Sequence, residues 1–438
     1  MASKKRKNTT PPSRRRPAPD APLAAELELW PETVRRGSLV EMLRKHVAKL
    51  RDTGGEHGNR SLFLDDVFIA YLLAFFNPSI RTLRTVEDFS RTKQAQEHLS
   101  IPKICRSTLS DFQKVADPGR LGPIIEALRS QLARKGAGGR LPDDLQGLHK
   151  QILAVDGTFL PAAADVAWAV ASRNQRAGER HRARFDWQVD INTWLPELVV
   201  VPDPGESEAD SAARHITPGT ISIYDRAFLS FHLIASFYDR DPSTDAVTTR
   251  AEFVIRLKQP GPNAPTLEEV EARPLDDGAT AAGVVSDRLV RLPGLKRTEG
   301  LDVVLREVVL TAPDGKTIRL LTNLLSVPAE IIGLLYRNRW QIELFFKWMK
   351  SYANFNHMIG HSREGVLLNF YVTIIGVMLM YLHTGFRPSK YAMALLGSAA
   401  RGATLDEIMP ILQERERQCE VARRSAAKRR AKKKSEAI

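Results

Sequence analysis

A chain of 438 residues, 43% of them hydrophobic, is long enough to bury a sizeable core in two or three domains. Its formal charge of +13 sits in the termini: residues 1–16 and 421–438 each carry a net +7, which leaves about −1 for the body, so any polyanion-binding surface there needs charges segregated onto one face. The two distant cysteines, Cys105 and Cys419, exclude a disulfide framework and a cysteine zinc cluster and fit a reducing compartment; the N-terminus lacks the apolar run of a signal peptide.

In chain order, residues 1–27 form a basic tail rich in Lys, Arg, Pro and Ala, expected to be disordered. Residues 28–140 are expected to be helical. SLFLDDVFIAYLLAFF is stopped by Asn77-Pro78, SIRTLRTVEDFS follows, STLSDFQKVA opens on Ser/Thr caps, and PGRLGPIIEALRSQLARKG ends in Gly. Short helices with such turns suit a small DNA-binding module and equally a generic helical bundle.

The pattern then turns to strands. QILAVDGTFLP is an apolar run ending in Asp-Gly, with β-branched flanks, and ARFDWQVDINTWLPELVVVP reads as two strands joined by an Asn-containing turn. GTISIYDRAFLSFHLIASFYD reads as a strand, then a helix, with Asp225 at the junction; EFVIRLKQP is another strand. Residues 260–325 alternate short β-like runs with Gly/Pro/Asp turns, and a helical region opens near Pro328 and reaches about residue 386. FYVTIIGVMLMYL, at 370–382, is too short to span a bilayer and reads as a core helix. Residues 389–438 are a helical region grading into basic charge.

YRNRWQIELFFKWMK, residues 336–350, reads as one helix with apolar flanks. On a helical pitch, Tyr336, Arg339, Glu343, Lys347 and Lys350 fall within an arc of roughly 80° along about 21 Å. Such a stripe is either a solvated face with two i,i+4 ion pairs or a site that combines a metal-binding carboxylate with phosphate-gripping cations. Two further carboxylates stand out. Asp156 lies within the strand-like LAVDGT and Asp225 ends ISIYD. An aspartate in an apolar strand needs a partner for its charge. Two strand-end aspartates with a helix glutamate form a hard-oxygen donor set suited to Mg²⁺, and two such ions about 4 Å apart serve phosphodiester displacement. His357 and His361 have an i,i+4 spacing without an evident third ligand, and Trp168, Trp187 and Trp194 read as core rather than base-stacking platforms.

These residues resemble the DDE transposases of the insertion sequence four group. The resemblance rests on Asp156 in AVDGT, Asp225 in YDRA and the spacing Tyr336-x2-Arg339-x3-Glu343-x6-Lys350, with EFVIRLK, LLTNLL and NHMIGHS alongside, and it covers about residues 148–385. It implies an α/β fold: a ribonuclease H-like catalytic core (141–259 and 326–388), a β-rich insertion domain (260–325) and an N-terminal helical domain (28–140) that binds element ends. It implies a DNA transposase that cleaves insertion-sequence ends and joins them to target DNA. Asp156, Asp225 and Glu343 are then the catalytic metal ligands for Mg²⁺, with Mn²⁺ able to substitute. Tyr336, Arg339 and Lys350 are DNA phosphate-binding, and so is Arg184, which stands where the family has a lysine. The implied partners are terminal inverted repeats, target DNA and a second copy in a synaptic dimer, with no membrane, in a prokaryotic cytoplasm at the nucleoid. A structure-selective nuclease on the same core and an inactive DNA-binding derivative are the rival expectations. Ala227 replaces the Gly of the family's Asp-Arg-Gly, and Ile318 stands where some relatives have a base-flipping Trp.

Overall fold

The computed structural model describes Phe68 and residues 82–92, 103–115, 117–134, 141, 143–161, 170–174, 178–203, 205–262, 264–312, 315–352 and 362–384, with scattered positions between 410 and 425. The first described helix, α1 (Leu83–Ser90), begins where Thr82 and Thr85 exchange side-chain and backbone hydrogen bonds in a capping box. α2 spans Arg106–Val115. The Asp117 side chain caps a 3-10 turn at Pro118–Leu121 that runs into α3 (Gly122–Arg134), and α4 is the short Asp143–Gln146.

The strands follow as β1 (Ile152–Pro161), β2 (Val170–Asn174), β3 (Gly178–Asp190), β4 (Leu195–Val200), β5 (Ile221–Tyr224), the ribbon β6 (Tyr238–Arg240) and β7 (Val247–Thr249), β8 (Glu252–Arg256), β9 (Glu268–Ala272), β10 (Val284–Arg291), β11 (Leu305–Thr311) and β12 (Thr317–Thr322). Between them lie α5 (Glu208–Arg214), α6 (Phe231–Ala235), α7 (Asp277–Ala281) and α8 (Pro293–Glu299); α9 (Ala329–Asn338), α10 (Trp340–Tyr352) and α11 (Arg363–Thr384) close the described body. Apart from the β6–β7 ribbon, the described strands form one mixed sheet in the order β2-β3-β1-β5-β8-β12-β11-β10-β9, with β4 also on β3. β1 is antiparallel to β3 but parallel to β5, and β5 is parallel to β8.

Alternation along the central strands builds two cores, one on each face. Ile152, Ala154, Ile221, Ile223 and Val254 enter one; Val155, Tyr224, Phe253 and Ile255 enter the other. A parallel strand covered on both sides reads as a continuous apolar run, which is why ISIY is buried at every position. The first core is shared with α9, α10 and α11, and with Val86, Leu109, Ile124, Leu128 and Leu132 of α1–α3. The described part of the N-terminal helical region therefore has no core of its own and packs against α11. No helix among the described residues is long and apolar enough to cross a membrane.

The β-rich character expected of residues 260–325 is present in β9–β12, which extend the central sheet through the β12–β8 pairing. This extension encloses charge. Arg306, nearly inaccessible, grips Asp287 with Nε and Nη2 at 2.7 Å each and reaches the carbonyls of Leu324, Leu325 and Val327. Glu307, fully buried, takes both Arg288 and Arg319 at 2.6 Å.

The stretch 336–350 departs from the single helix expected. α9 ends at Asn338 and α10 starts at Trp340. At the junction, Arg339 N donates to Tyr336 O and Ile342 N to Arg339 O, three-residue bonds that tighten the turn and shift the register. Tyr336 and Glu343 thus sit on different helices, with Arg339 at the hinge between them.

Candidate active site

The parallel pairing aligns Ala154 with Ile223; continued by two residues, it sets Asp156 level with Asp225, on neighbouring strands about 4.8 Å apart. Asp156 Oδ1 accepts from the Gly157 N–H at 2.9 Å, and Asp225 Oδ1 from the Arg226 N–H at 2.6 Å as it caps the 3-10 turn Arg226–Phe228. That turn holds Ala227 in ordinary right-handed backbone, so the position needs no glycine.

Glu343 arrives from α10, which is held to the sheet by Trp194. This residue occupies the β3–β4 turn at a φ of 61°, donates its indole N–H to Gln341 O at 3.2 Å and stacks edge-on against Phe345 at 5.5 Å. Trp187 is buried among Phe345, Phe346 and Phe370, so Trp187 and Trp194 both serve packing, as expected. Ile318, at the position of the relatives' Trp, also packs against the core.

Arg339 connects the parts. Its Nη2 donates to Glu343 Oε1 at 2.6 Å, its Nη1 stands 3.7 Å from Asp156 Oδ2, and its guanidinium carbon lies 5.9 Å from the Tyr336 ring centre. At 13% side-chain exposure it is not part of a solvated face. Burial works against its charge, but Tyr336, Glu343 and Asp225 outweigh that and hold it protonated. Tyr336 is buried and its hydroxyl makes no hydrogen bond of good geometry; burial raises its pKa, partly countered by Arg339 and the nearby Arg256.

Asp156 has a pKa pushed up to about 7. Burial is the main cause; Arg339 opposes it, and Glu208 and Asp225 add to it. Glu208, on α5, is itself raised by burial and by Asp186. Asp186, on β3, is raised by burial against the pull of Arg184. Arg184 is committed to Asp186, with Nε 3.1 Å from Oδ1, and to the Glu206 carbonyl at 2.6 Å.

The structure thus brings Asp156, Asp225, Tyr336, Arg339 and Glu343 together and sets Arg184 behind them. Lys350 lies on α10, but its side chain, like His357, His361 and Trp168, falls outside the described residues. Glu208, Asp186 and Arg256 were missed in the sequence. GESEADSAAR reads as an ordinary capped helix start, and only the buried Asp in FDWQV carried a signal.

The carboxylates are of the hard-oxygen type that a divalent cation takes, and burial pushes the Asp156 carboxyl up to about 7. Among the described residues no three acidic, His or Cys side chains stand at coordinating spacing; Arg339 lies between the carboxylates and supplies the balancing charge.

Residues 147–379 match the family model described as Transposase DDE domain. The chain is 27% identical over 247 residues to "Putative transposase y4zB" of Sinorhizobium fredii, covering 55% of this chain and 63% of that protein, so it spans less than two thirds of that relative's length. It is 33% identical to "Probable transposase for insertion sequence element IS5377" of Geobacillus stearothermophilus, over 64% of this chain and 67% of that protein. It is 30% identical to "Putative transposase for insertion sequence element IS4SA" of Synechocystis, over 63% and 71%. Among solved structures, a piggyBac transposase synaptic complex with hairpin DNA aligns at a TM-score of 0.40 and 11% identity, over 89% of this chain and 82% of that one.

Proposed function

Because the chain belongs to the Transposase DDE domain family, we propose that it is a DNA transposase that cleaves insertion-sequence ends and joins them to target DNA. The observation that carries this reading is Arg339, which links Asp156 on the sheet to Glu343 on α10 while Asp225 stands alongside. Strand order supports a ribonuclease H-like core: β4-β3-β1 run antiparallel, and β1, β5 and β8 run parallel. The spacing of Tyr336, Arg339, Glu343 and Lys350 supports membership of the insertion sequence four group.

In this reading Asp156, Asp225 and Glu343 hold Mg²⁺, for which Mn²⁺ can substitute; the chemistry such ions supply is activation of a water or 3′-hydroxyl and stabilisation of the leaving oxygen. The chain's own residues prepare the phosphate. Arg339 offers a planar fork whose carboxylate partners a scissile phosphate can replace. Tyr336 offers a buried hydroxyl that a phosphate oxygen would satisfy. Lys350 adds a point charge, and Arg184 a second guanidinium if DNA draws it from Asp186. Residues 28–140 bind the terminal inverted repeats, a homodimer pairs two ends, and the work is done at the nucleoid of a prokaryotic cytoplasm.

A strand-transfer assay with labelled 3′-hydroxyl element ends tests the reading: joined products are expected, whereas cutting without joining would favour the nuclease. Arg339→Ala and Lys350→Ala should lower single-turnover cleavage or transfer roughly tenfold or more, as loss of transition-state charge stabilisation does. Lys347, exposed on α10 and outside the signature spacing, is the control and should matter less. Equal, small losses for all three would reduce the stripe to a salt-bridged surface. Deleting residues 421–438, which carry eight Lys/Arg, should weaken binding to specific and random DNA alike and flatten the salt dependence. Loss of specific binding alone would transfer end recognition from residues 28–140 to the tail.

A further inference from the structure

We propose that Trp194 is the positioning residue for Glu343: its indole grips the backbone of α10 and fixes the roll of the helix that carries this carboxylate. The proposal rests on the transposase reading above. Trp194 ends the β3–β4 turn with a φ of 61°, a left-handed conformation that a bulky side chain adopts only where its surroundings impose it. Those surroundings are specific. Asp190 Oδ1 accepts from the Asn192 N–H at 2.7 Å and the Thr193 N–H at 3.2 Å, and the Asp190 carbonyl accepts from the Trp194 N–H at 2.7 Å. Gln151 donates to the other Asp190 carboxylate oxygen at 3.1 Å. Just beyond the turn, Arg129 of α3 donates to the Pro196 carbonyl at 3.2 Å and pairs with Glu197 at 3.1 Å. A glycine would take this φ without strain, so the turn alone gives no reason for a tryptophan. The reason lies in what the indole touches.

The indole N–H donates to the Gln341 carbonyl at 3.2 Å, and the ring meets Phe345 edge-on at 5.5 Å. α10 buries Ile342, Phe345, Phe346 and Met349. On a helical pitch, Gln341 and Glu343 flank that buried stripe, each about 100° from its centre and on opposite sides. A roll of α10 about its own axis would carry Glu343 away from Arg339 and Asp156, and a hold on the Gln341 flank opposes it. The three-residue bonds at Arg339 interrupt the ladder between α9 and α10, so α9 does not dictate that roll. Apolar packing is non-directional and fixes the roll less sharply than a hydrogen bond to the helix backbone. Trp194 touches no reacting group; it acts through α10.

The test compares wild type, Trp194→Phe, Trp194→Gly, Glu343→Gln and a packing control, Phe237→Leu, whose ring is fully buried in the other core. Three quantities are read on the full chain: amide hydrogen exchange over residues 340–346 without DNA, binding of a labelled element end, and single-turnover nicking of that end well below each variant's melting temperature. Trp194→Phe keeps a ring and loses the N–H. It should speed exchange over 340–346 about tenfold relative to 329–338, the scale of one hydrogen bond. It should lower nicking about tenfold or more, as a misplaced reacting group does, with end binding unchanged. Trp194→Gly, which relieves the backbone but removes the grip, should lower nicking further. Phe237→Leu should lower the melting temperature and leave nicking unchanged. The proposal is overturned if Trp194→Phe exchanges or nicks as wild type does while Glu343→Gln fails to nick; Trp194 is then ordinary packing and the transposase site stands. It is also overturned if the loss of nicking follows melting temperature alike in all three packing variants. If Glu343→Gln nicks as wild type does, Glu343 leaves the site, and this proposal goes with it.

Discussion

Asp156→Asn, Asp225→Asn and Glu343→Gln should each abolish Mg²⁺-dependent cleavage of element ends while leaving specific end binding intact. Each change keeps the side chain's shape and removes one anionic oxygen from the donor set. The metal's charge stabilisation is worth several kcal/mol, so the expected loss is a thousandfold or more, at roughly 1.4 kcal/mol per factor of ten. The Arg339 pairings sharpen the expectation for Glu343→Gln. The 2.6 Å bond from Arg339 to the Glu343 carboxylate becomes a weaker one to a neutral amide oxygen, and the nearest carboxylate left to Arg339 is Asp156 at 3.7 Å. Single-turnover nicking of a labelled end, run beside a gel-shift assay, measures both quantities. Wild-type nicking by any one variant removes that residue from the site.

Arg306→Met should destabilise the fold by about 3–5 kcal/mol, the range for stripping one partner from a buried ion pair. Asp287 would keep its charge at 5% side-chain exposure with its two guanidinium bonds gone, and the carbonyls of Leu324, Leu325 and Val327 would lose a common donor. The double change Arg306→Met with Asp287→Leu should recover most of the loss, because no uncompensated charge remains. Those carbonyls lie just before α9, whose far end leads into Arg339, so Arg306→Met should also lower cleavage more than its melting temperature alone accounts for. Thermal melts of the single and double variants decide this. A single variant that melts with the wild type would mean that water reaches Asp287.

The candidate carboxylates on the strands were legible in the sequence because an aspartate in an apolar strand contradicts its surroundings. Both Asp156 and Asp225 announced themselves in this way, and the strands around them formed where their β-branched runs predicted. The order β1, β5, β8 was not legible, since a residue pattern specifies burial on both faces but not which strands lie side by side. The helices α7 and α8 went unforeseen inside a β-like region, although their signals were present. Asp276 caps the first, and Pro293 opens the second, which Gly300 closes in a left-handed conformation. Each is too short for a hydrophobic period to emerge. Tyr336, Arg339 and Glu343 were read correctly as neighbours but wrongly as one continuous helix. Nothing in 336–350 breaks a helix by composition; the turn tightens at Arg339, whose guanidinium bonds to groups on the sheet and on α10.

The sequence by itself therefore determined which residue types could hold a hard cation and grip phosphate, because charge in an apolar run and spacing along a helix are local properties. The tertiary structure alone decided that Arg339 bridges Asp156 and Glu343, that Arg184 is held by Asp186, and that Trp194 reaches Gln341 on α10. These are distances between segments tens to hundreds of residues apart, and packing sets them after the chain has folded.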